Sequence, residues 1–216
     1  MIKAFIEKNR GKRIFLEHEV KMLLKNMGLT VPHSIFIRKD EPISAHGLNY
    51  PLVVKVSSTA IASKSDVHGI RIGINSANDL KKSVEDLRQI ENAEGVLIEE
   101  TAPAGVEVIV GGVTDKQFGP IVMFGLGGIF VELFKDIAFG LAPMTEGEAQ
   151  RLIRQVKGYR LLEEYRGRPP IDIQALLRVI LAVADIMSSG LISEIDLNPV
   201  ILYATGAVVL DAKMSL

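Results

Sequence analysis

The sequence predicts an α+β fold made of two α/β lobes. Apolar residues recur at helical spacing in several segments, whereas other short segments are rich in Val and Ile, as strands are. These two kinds of segment are interleaved along the chain, and strands become denser after Gly95. We therefore predict one lobe over residues 1–98 and a second over residues 99–216, which meet near residues 95–101.

The N-terminal lobe is predicted to combine helices with strands. The first helix is predicted over residues 13–27, where apolar residues follow helical spacing and Gly28 provides a C-terminal stop. Another helix is predicted over residues 76–90, with Ser76 as its N-cap. Strands are predicted over residues 34–37, 52–56 and 70–74.

The C-terminal half is predicted to be richer in strands. A helix over residues 145–156 begins with a capping box, because Glu148 follows Thr145 by three residues. A longer apolar helix is predicted over residues 171–187, directly after Pro170. Strands are predicted over residues 96–100, 106–113, 120–124, 191–195, 200–203 and 207–210.

Composition limits the class of protein. The chain has 216 residues, of which 48% are hydrophobic, so it can bury a sizeable core. Its formal net charge is -1, and no basic stretch indicates a nucleic-acid partner. No apolar run approaches the roughly 20 residues that span a bilayer, and the N-terminus lacks a signal-peptide pattern. We therefore predict a cytoplasmic protein without a membrane partner, which the absence of cysteine fits.

Lys55 is the first candidate for a functional residue. It lies in the apolar strand Pro51–Val56, so its ammonium group is held at the edge of a core. At this point it is equally well interpreted as a lysine that extends to solvent or as one that binds phosphate. The next segment, residues 57–69, is rich in small and hydroxyl side chains and carries Lys64. Such a loop suits a triphosphate, although an ordinary polar surface loop is the alternative.

Two further segments have the residue types of a ligand site. Residues 95–105 end an apolar strand in Glu99 and Glu100, where backbone groups could bind an adenine edge and a carboxylate the ribose. A solvated strand end is the alternative. Residues 124–132 contain glycines that allow close approach of a ligand or partner, or a tight turn required by packing. Their spacing matches neither a dinucleotide fingerprint nor a Walker A motif.

The last strands carry a candidate magnesium site. Asp196 and Asn198 alternate with apolar residues, so they face the same side of a strand as Glu194. Asp211 ends the strand that follows. Carboxylate and amide oxygens from adjacent strand ends suit Mg²⁺, which keeps water and nucleotide oxygens in its other positions. We favour this interpretation over a merely solvated strand face.

Together these segments resemble the ATP-grasp fold, and specifically the ATP-grasp (beta) subunit of ADP-forming acetyl-CoA and other acyl-CoA synthetases, relatives of succinyl-CoA synthetase. The resemblance extends from residue 17 to residue 211. The passages that carry it are Tyr50-Pro51-Leu52-Val53-Val54-Lys55, Lys64-Ser65-Asp66, Gln117-Phe118-Gly119-Pro120, Phe124 to Glu132, Tyr165-Arg166-Gly167-Arg168-Pro169-Pro170 and Asp196-Leu197-Asn198-Pro199.

The resemblance implies ATP or ADP and Mg²⁺ as cofactors, bound in a cleft between the two lobes. It implies that the nucleotide is bound by Lys55, Lys64, Glu99, Glu100, Thr101 and Glu107. It assigns Mg²⁺ to Asn198 and Asp211, with Asp196 beside them. We expect Lys55 and Asp196 to act in catalysis, and His68 is a third candidate. In this family the overall reaction converts acyl-CoA, ADP and phosphate reversibly into acid, CoA and ATP. A phosphohistidine on a CoA-binding partner (alpha) subunit carries the phosphoryl group, so this chain is expected to act only with that partner.

Two positions depart from the family pattern. Ser63 stands where a histidine implicated in phosphoryl relay is usual, so the relay either bypasses this loop or uses His68. Gly140 stands where Arg is common, and loss of a guanidinium group is expected to lower turnover. These departures leave open a nucleotide-binding or structural subunit that has lost phosphoryl transfer. A free-standing ATP-grasp carboxylate ligase fits less well, because nothing indicates an extra acceptor-binding domain.

Overall fold

The computed structural model describes residues 1–128, 133–164, 167 and 169–216. Residues 129–132, 165, 166 and 168, which carry parts of the motifs named above, lie outside the described residues. The elements in chain order are α1 (Ile2–Lys8), α2 (Glu17–Asn26), β1 (Ser34–Arg38), β2 (Leu52–Ser57), β3 (Ile70–Ile74), α3 (Ala77–Arg88), β4 (Gly95–Glu100), β5 (Val106–Asp115), β6 (Gly119–Leu126), β7 (Ile137–Leu141), α4 (Glu146–Arg154), a 3-10 helix (Lys157–Leu161), α5 (Ile173–Ser188), β8 (Glu194–Leu202), β9 (Ala207–Val209) and β10 (Ala212–Ser215).

Within the described residues, the chain divides into two compact units. The larger unit comprises Met1–Phe15, Glu19–Val31 and Ala104–Leu216. The smaller unit comprises Leu16–His18 and Pro32–Pro103. Helices combined with antiparallel sheets confirm the predicted α+β class. In the part of the chain that the structure describes, no helix has both the length and the apolar character needed to cross a bilayer.

The smaller unit is an antiparallel sheet covered on one face by α3. Its strands run in the order β1-β4-β2-β3, with Lys55 opposite Leu97. Leu52 and Val54 point into the core with the apolar residues of α3, namely Leu80, Val84 and Leu87. Because side chains alternate along a strand, Lys55 and Glu99 lie on the face opposite to α3.

The larger unit is an antiparallel sheet whose strands run in the order β10-β8-β5-β6-β7, and β9 also pairs with β8. Helices α4 and α5 pack against one face of this sheet. Ile195 and Leu197 belong to the core on that face, so Asp196 lies on the opposite face. We call this opposite face the outer face of the larger sheet.

The limits of the two units differ from those of the predicted lobes. The first helices belong to the larger unit, because α2 packs Val20, Leu23 and Leu24 into its core. The predicted boundary between residues 98 and 99 falls inside β4, which pairs with both β1 and β2 and so stays with the smaller unit.

Helix α2 begins later than the predicted residue 13. Ile14 forms a β-bridge with Ser215, and the Phe15 N–H donates to the Met214 carbonyl, so this segment is extended. The preceding helix α1 and the strands β7 and β10 were not predicted. Their residues follow no long apolar period, and β7 and β10 are held by pairing with β6 and β8.

The two strands predicted over residues 191–195 and 200–203 are one strand, β8. Pro199 has no backbone N–H to donate to a neighbouring strand, so a break in the strand is expected at this residue. The structure accommodates it with a bulge, because the pairing of β5 with β8 shifts register between Val108 and Val110. Asn198 and Pro199 therefore lie within a continuous strand.

Candidate functional site

A series of buried charged side chains lies on the face of the smaller sheet opposite to α3. The Lys55 Nζ lies 2.8 Å from Glu17 Oε1 and 2.7 Å from Glu99 Oε2. The other Glu17 oxygen, Oε2, lies 3.0 Å from Lys64 Nζ. None of these four side chains is more than 10% exposed. Lys55 is thus a buried cation between two carboxylates and does not extend to solvent.

Glu17 is a member of this group of buried charges that the sequence did not reveal. Its two carboxylate oxygens hold two ammonium groups, as the oxygens of a bound phosphate would. Helical periodicity could have indicated that Glu17 is buried. It shares the buried face of α2 with Val20 and Leu24, at spacings of three and seven residues. A carboxylate on an apolar helix face needs a buried partner.

The loop after β2 is anchored close to this group of charges. The Gly69 N–H donates to the Lys64 carbonyl at 2.6 Å, and the Gly69 carbonyl accepts from the Val56 N–H at 2.7 Å. A Cβ at Gly69 would lie 2.4 Å from Val56 Cγ1, so only glycine fits there. Lys64 is thereby fixed beside the end of β2.

His68 lies on the exposed side of the same loop. Its backbone has a positive φ of 50°, and its N–H donates to the Ser65 carbonyl at 3.0 Å. The Ser63 hydroxyl accepts from the Asp66 N–H at 3.4 Å, which is a weak local bond. A relay through His68 stays a prediction.

The end of β4 places its two carboxylates differently. Glu99 is buried against Lys55, whereas Glu100 accepts from the backbone N–H and the side-chain amide of Asn49, each at 2.8 Å. These bonds, the backbone one first, hold the pKa of Glu100 below its usual value. Thr101 is exposed, and its N–H donates to the Pro51 carbonyl at 3.0 Å. Because both carboxylates contact other residues, the predicted adenine-binding role of this segment requires its backbone groups.

The predicted magnesium ligands are neighbours in the larger unit. The Asn198 N–H donates to the Asp211 carbonyl at 3.2 Å, and the Leu210 N–H donates to the Pro199 carbonyl at 2.9 Å. Asp196 shares the outer face of the larger sheet, where its Oδ1 lies 4.0 Å from the position of a Cβ added at Gly111. The pairing of β8 with the segment before β10 therefore puts Asn198 opposite Asp211. Their role as magnesium ligands stays a prediction.

These donors fit Mg²⁺. Among the described residues, no three acidic or histidine side chains form a cluster able to hold a metal by themselves. Mg²⁺ in nucleotide sites is commonly held by one or two carboxylates together with substrate phosphates. Asn198 and Asp211, with Asp196 nearby, supply hard oxygen donors of that kind.

Glu107 and the glycine segment lie at the start of β5 and the end of β6. The Glu107 carbonyl accepts from the Gly127 N–H at 2.8 Å. A Cβ at Gly127 would lie 2.9 Å from the Glu107 Cβ and 3.0 Å from its carbonyl oxygen. This glycine is therefore explained by backbone packing, one of the two interpretations. The Glu107 side chain is exposed, and its Oε2 lies 3.8 Å from the position of a Cβ at Gly128.

Gly140 lies in β7 on the helix-covered face of the larger sheet. A Cβ there would lie 2.6 Å from Met144 Cε and 3.7 Å from Leu152 Cδ1. Its strand partner Val122 belongs to the core. A side chain at position 140 would thus start on the face opposite to Asp196. The predicted loss of turnover from Gly140 gains no support from this geometry.

The predicted site residues form two groups, each inside one unit. The smaller unit contains those assigned to phosphate and adenine, namely Lys55, Lys64, His68, Glu99, Glu100 and Thr101. The larger unit contains those assigned to the metal and the transferred group, namely Glu107, Asp196, Asn198 and Asp211.

Comparison with known proteins defines the class of this chain. Residues 7–216 match the family model described as an ATP-grasp domain. The chain therefore belongs to the ATP-grasp family, and the predicted ATP-grasp fold is confirmed.

Its relatives within this family are ADP-forming ligases. The chain is 39% identical to acetate–CoA ligase (ADP-forming) I subunit beta of Pyrococcus furiosus, over 99% of this chain and 97% of the relative. It is 41% identical to acetate–CoA ligase (ADP-forming) II of Archaeoglobus fulgidus, over 93% of this chain but only 30% of that longer protein. The predicted resemblance to beta subunits of ADP-forming acyl-CoA synthetases is confirmed.

A solved structure gives the same result. Dinucleotide forming acetyl-coenzyme A synthetase 1 of Ca. Korarchaeum cryptofilum, in complex with coenzyme A and Ca-AMPCP, superposes with a TM-score of 0.89 at 38% identity, covering 100% of this chain and 98% of the other. The same synthetase is also known with Mg-AMPPCP and its phosphohistidine segment pointing towards the nucleotide binding site, with a TM-score of 0.80 at 37% identity over the same shares of the two chains.

Proposed function

We propose that this chain is the nucleotide-binding subunit of an ADP-forming acyl-CoA synthetase. It binds ATP or ADP with Mg²⁺ and passes a phosphoryl group between the nucleotide and a phosphohistidine on a CoA-binding partner subunit. The observation that carries the proposal is the backbone pairing of Asn198 with Asp211, which puts two oxygen-bearing side chains at adjacent strand positions in an ATP-grasp chain. The overall reaction converts acyl-CoA, ADP and phosphate reversibly into acid, CoA and ATP.

In this proposal, one group of residues binds the metal and the other binds the phosphates of the nucleotide. Asn198 and Asp211 hold the metal, which neutralises phosphate charge when bound, and Asp196 lies beside them. Lys55 and Lys64 bind phosphate oxygens, and Glu17 holds both ammonium groups before nucleotide binds. Phosphoryl transfer needs mainly positioning and charge neutralisation, so no covalent intermediate on this chain is required.

Three further assignments complete this proposal. The backbone of residues 99–101 lines the adenine, and Glu107 reaches the nucleotide or the transferred group. His68 is assigned to phosphoryl relay in place of the histidine that Ser63 replaces. The adenine and Glu107 assignments rest on the family resemblance, whereas the His68 assignment rests on the departure from it.

A CoA-binding partner is part of this proposal. The Archaeoglobus relative is more than three times longer than the part that matches, whereas the Pyrococcus relative is a beta subunit of matching length. Because the Pyrococcus relative is named a beta subunit, we propose a CoA-binding alpha partner, with both proteins in the cytoplasm. A catalytically weakened subunit is not favoured, because the named relatives are ligases.

Phosphorylation of the partner tests this function. A CoA-binding ligase chain from the same organism is mixed with this chain, Mg²⁺ and ATP labelled at the γ-phosphate. We expect acid-labile label on a histidine of the partner only when both chains and Mg²⁺ are present. Asp211→Asn should lose this label, whereas Asp185→Asn, at an exposed position of α5, should keep it. Absence of label with normal ADP binding would contradict the proposal.

A further inference from the structure

Lys21 is a buried cation to which the proposed reaction assigns no role. It lies on α2 and is only 2% exposed. Its ammonium group donates to the Leu210 carbonyl at 2.6 Å, across 189 residues of sequence. Its helix neighbours Val20 and Leu24 are fully buried apolar residues of the larger core. The bond therefore ties the first long helix of the larger unit to the segment between β9 and β10.

A lysine is a costly residue at such a position. Removing an ammonium group from water costs several kcal/mol unless hydrogen bonds and charges compensate for it, whereas an apolar side chain of similar volume would fill the space without that cost. Space filling thus does not explain Lys21. What distinguishes it from an apolar residue is the charged donor that it aims at the Leu210 carbonyl.

The Leu210 carbonyl belongs to the peptide group that leads into Asp211. This peptide group is planar, so fixing its oxygen also fixes the direction in which the chain enters Asp211. On one side, two backbone hydrogen bonds hold the segment to β8. The Leu210 N–H donates to the Pro199 carbonyl, and the Asp211 carbonyl accepts from the Asn198 N–H. On the other side, Lys21 holds the Leu210 oxygen.

We propose that Lys21 is a positioning residue that aims Asp211 toward the magnesium ion shared with Asn198. The inference rests on the proposed function, because it concerns the metal that this function requires. Lys21 touches neither nucleotide nor metal in this account. It acts by holding a backbone oxygen on the residue before a ligand.

The test is the magnesium dependence of ADP binding. Lys21→Met keeps the length of the side chain and removes the donor. Lys25→Met, one turn later on the same helix and exposed, is the matched control. ADP affinity is measured by calorimetry at increasing Mg²⁺ concentration, and Mn²⁺ bound with ADP is counted by its spin-resonance signal. We expect Lys21→Met to raise the half-saturating metal concentration at least fivefold, with metal-free ADP affinity and Lys25→Met unchanged.

The outcomes separate positioning from general stability. A folded Lys21→Met variant with an unchanged half-saturating metal concentration would overturn the inference, as would equal losses of ADP affinity with and without metal. If Lys21→Met does not fold, Lys21→Arg, which keeps a charged donor but moves it, is judged by the same two criteria. If the wild-type chain shows no magnesium-dependent ADP binding, the proposed function itself fails, and this inference with it.

Discussion

Lys55 was identified in the sequence from its apolar strand, but its partners were not. Glu17 lies 38 residues away in the sequence, and no local pattern specifies its contact with Lys55. Glu99 was expected to face a ligand, and its carboxylate instead contacts the Lys55 ammonium. Charged groups that are buried together must compensate one another, so the partners of a buried lysine depend on tertiary structure and are hard to predict from sequence.

Removing the Lys55 ammonium group should therefore destabilise the protein as well as weaken nucleotide binding. Lys55→Met leaves Glu17 and Glu99 as buried carboxylates without this cation, so we expect a loss of about 3–5 kcal/mol in the free energy of unfolding. Urea unfolding measures it. Lys82→Met, at an exposed position of α3, should change the same free energy by less than about 0.5 kcal/mol. A comparably small change in Lys55→Met would show that the charges are not coupled.

Two glycines provide a matched test of close backbone packing. Gly127→Ala puts a methyl group 2.9 Å from the Glu107 Cβ, so we expect a loss of about 1–3 kcal/mol of stability. Gly147→Ala, in α4, meets nothing nearer than Arg151 Nη1 at 3.8 Å and should stabilise by about 0.5–1 kcal/mol. Thermal unfolding of both variants measures the difference. Similar effects of the two substitutions would mean that β5 and β6 are not packed as described.

At the scale of elements, helix α2 gives one buried charge to each unit. Glu17, its first residue, belongs to the smaller unit, and Lys21, one turn later, belongs to the larger. Periodicity predicted the longer helices and most strands, because their apolar faces meet large cores. It missed α1, β7 and β10, which are short and whose stability comes from neighbours distant in sequence.

Asp172 connects helix α5 to the turn after β8. Its carboxylate accepts from the Ala175 N–H at 2.9 Å as the N-cap of α5, and from the Gly206 N–H at 2.9 Å. The Ala175 bond first, and then the Gly206 bond, lower the pKa of Asp172. A lowered pKa in the folded state means that the ionised group stabilises the fold above its unfolded pKa. That stabilisation is lost as pH falls through the folded value.

Asp172→Ala should therefore have a pH-dependent effect. At pH 7 we expect it to lower the free energy of unfolding by about 0.5–2 kcal/mol, the usual value of an N-cap. The charge-dependent part of the difference from wild type should shrink below the ordinary aspartate pKa of about 3.9. Urea unfolding of wild type and variant at pH 7 and at a pH below about 3.9 measures this change. Asp185→Ala, exposed on the same helix, should show little effect at either. A difference that grows on acidification would be inconsistent with the assigned bonds.

At the scale of the whole molecule, the proximity of the residues that we propose as magnesium ligands was the most predictable part of the candidate site. Alternation placed Asp196 and Asn198 on one face, and the antiparallel return of the chain placed Asp211 beside Asn198. Both follow from local rules. No local rule indicates whether one nucleotide needs both these residues and the lysines of the smaller unit, so this requirement stays a prediction.

Calorimetric titration of Mg-ADP into four variants tests most directly whether one nucleotide needs both groups. Lys64→Gln removes a cation of the smaller unit, and Asp211→Asn removes a carboxylate of the larger unit that we propose as a metal ligand. Lys82→Gln and Asp185→Asn are the exposed controls. We expect one Mg-ADP per chain in the wild type, bound at least tenfold more weakly by Lys64→Gln and by Asp211→Asn, and with wild-type affinity by both controls. Wild-type affinity in either Lys64→Gln or Asp211→Asn would contradict it, because one nucleotide would then not need both groups.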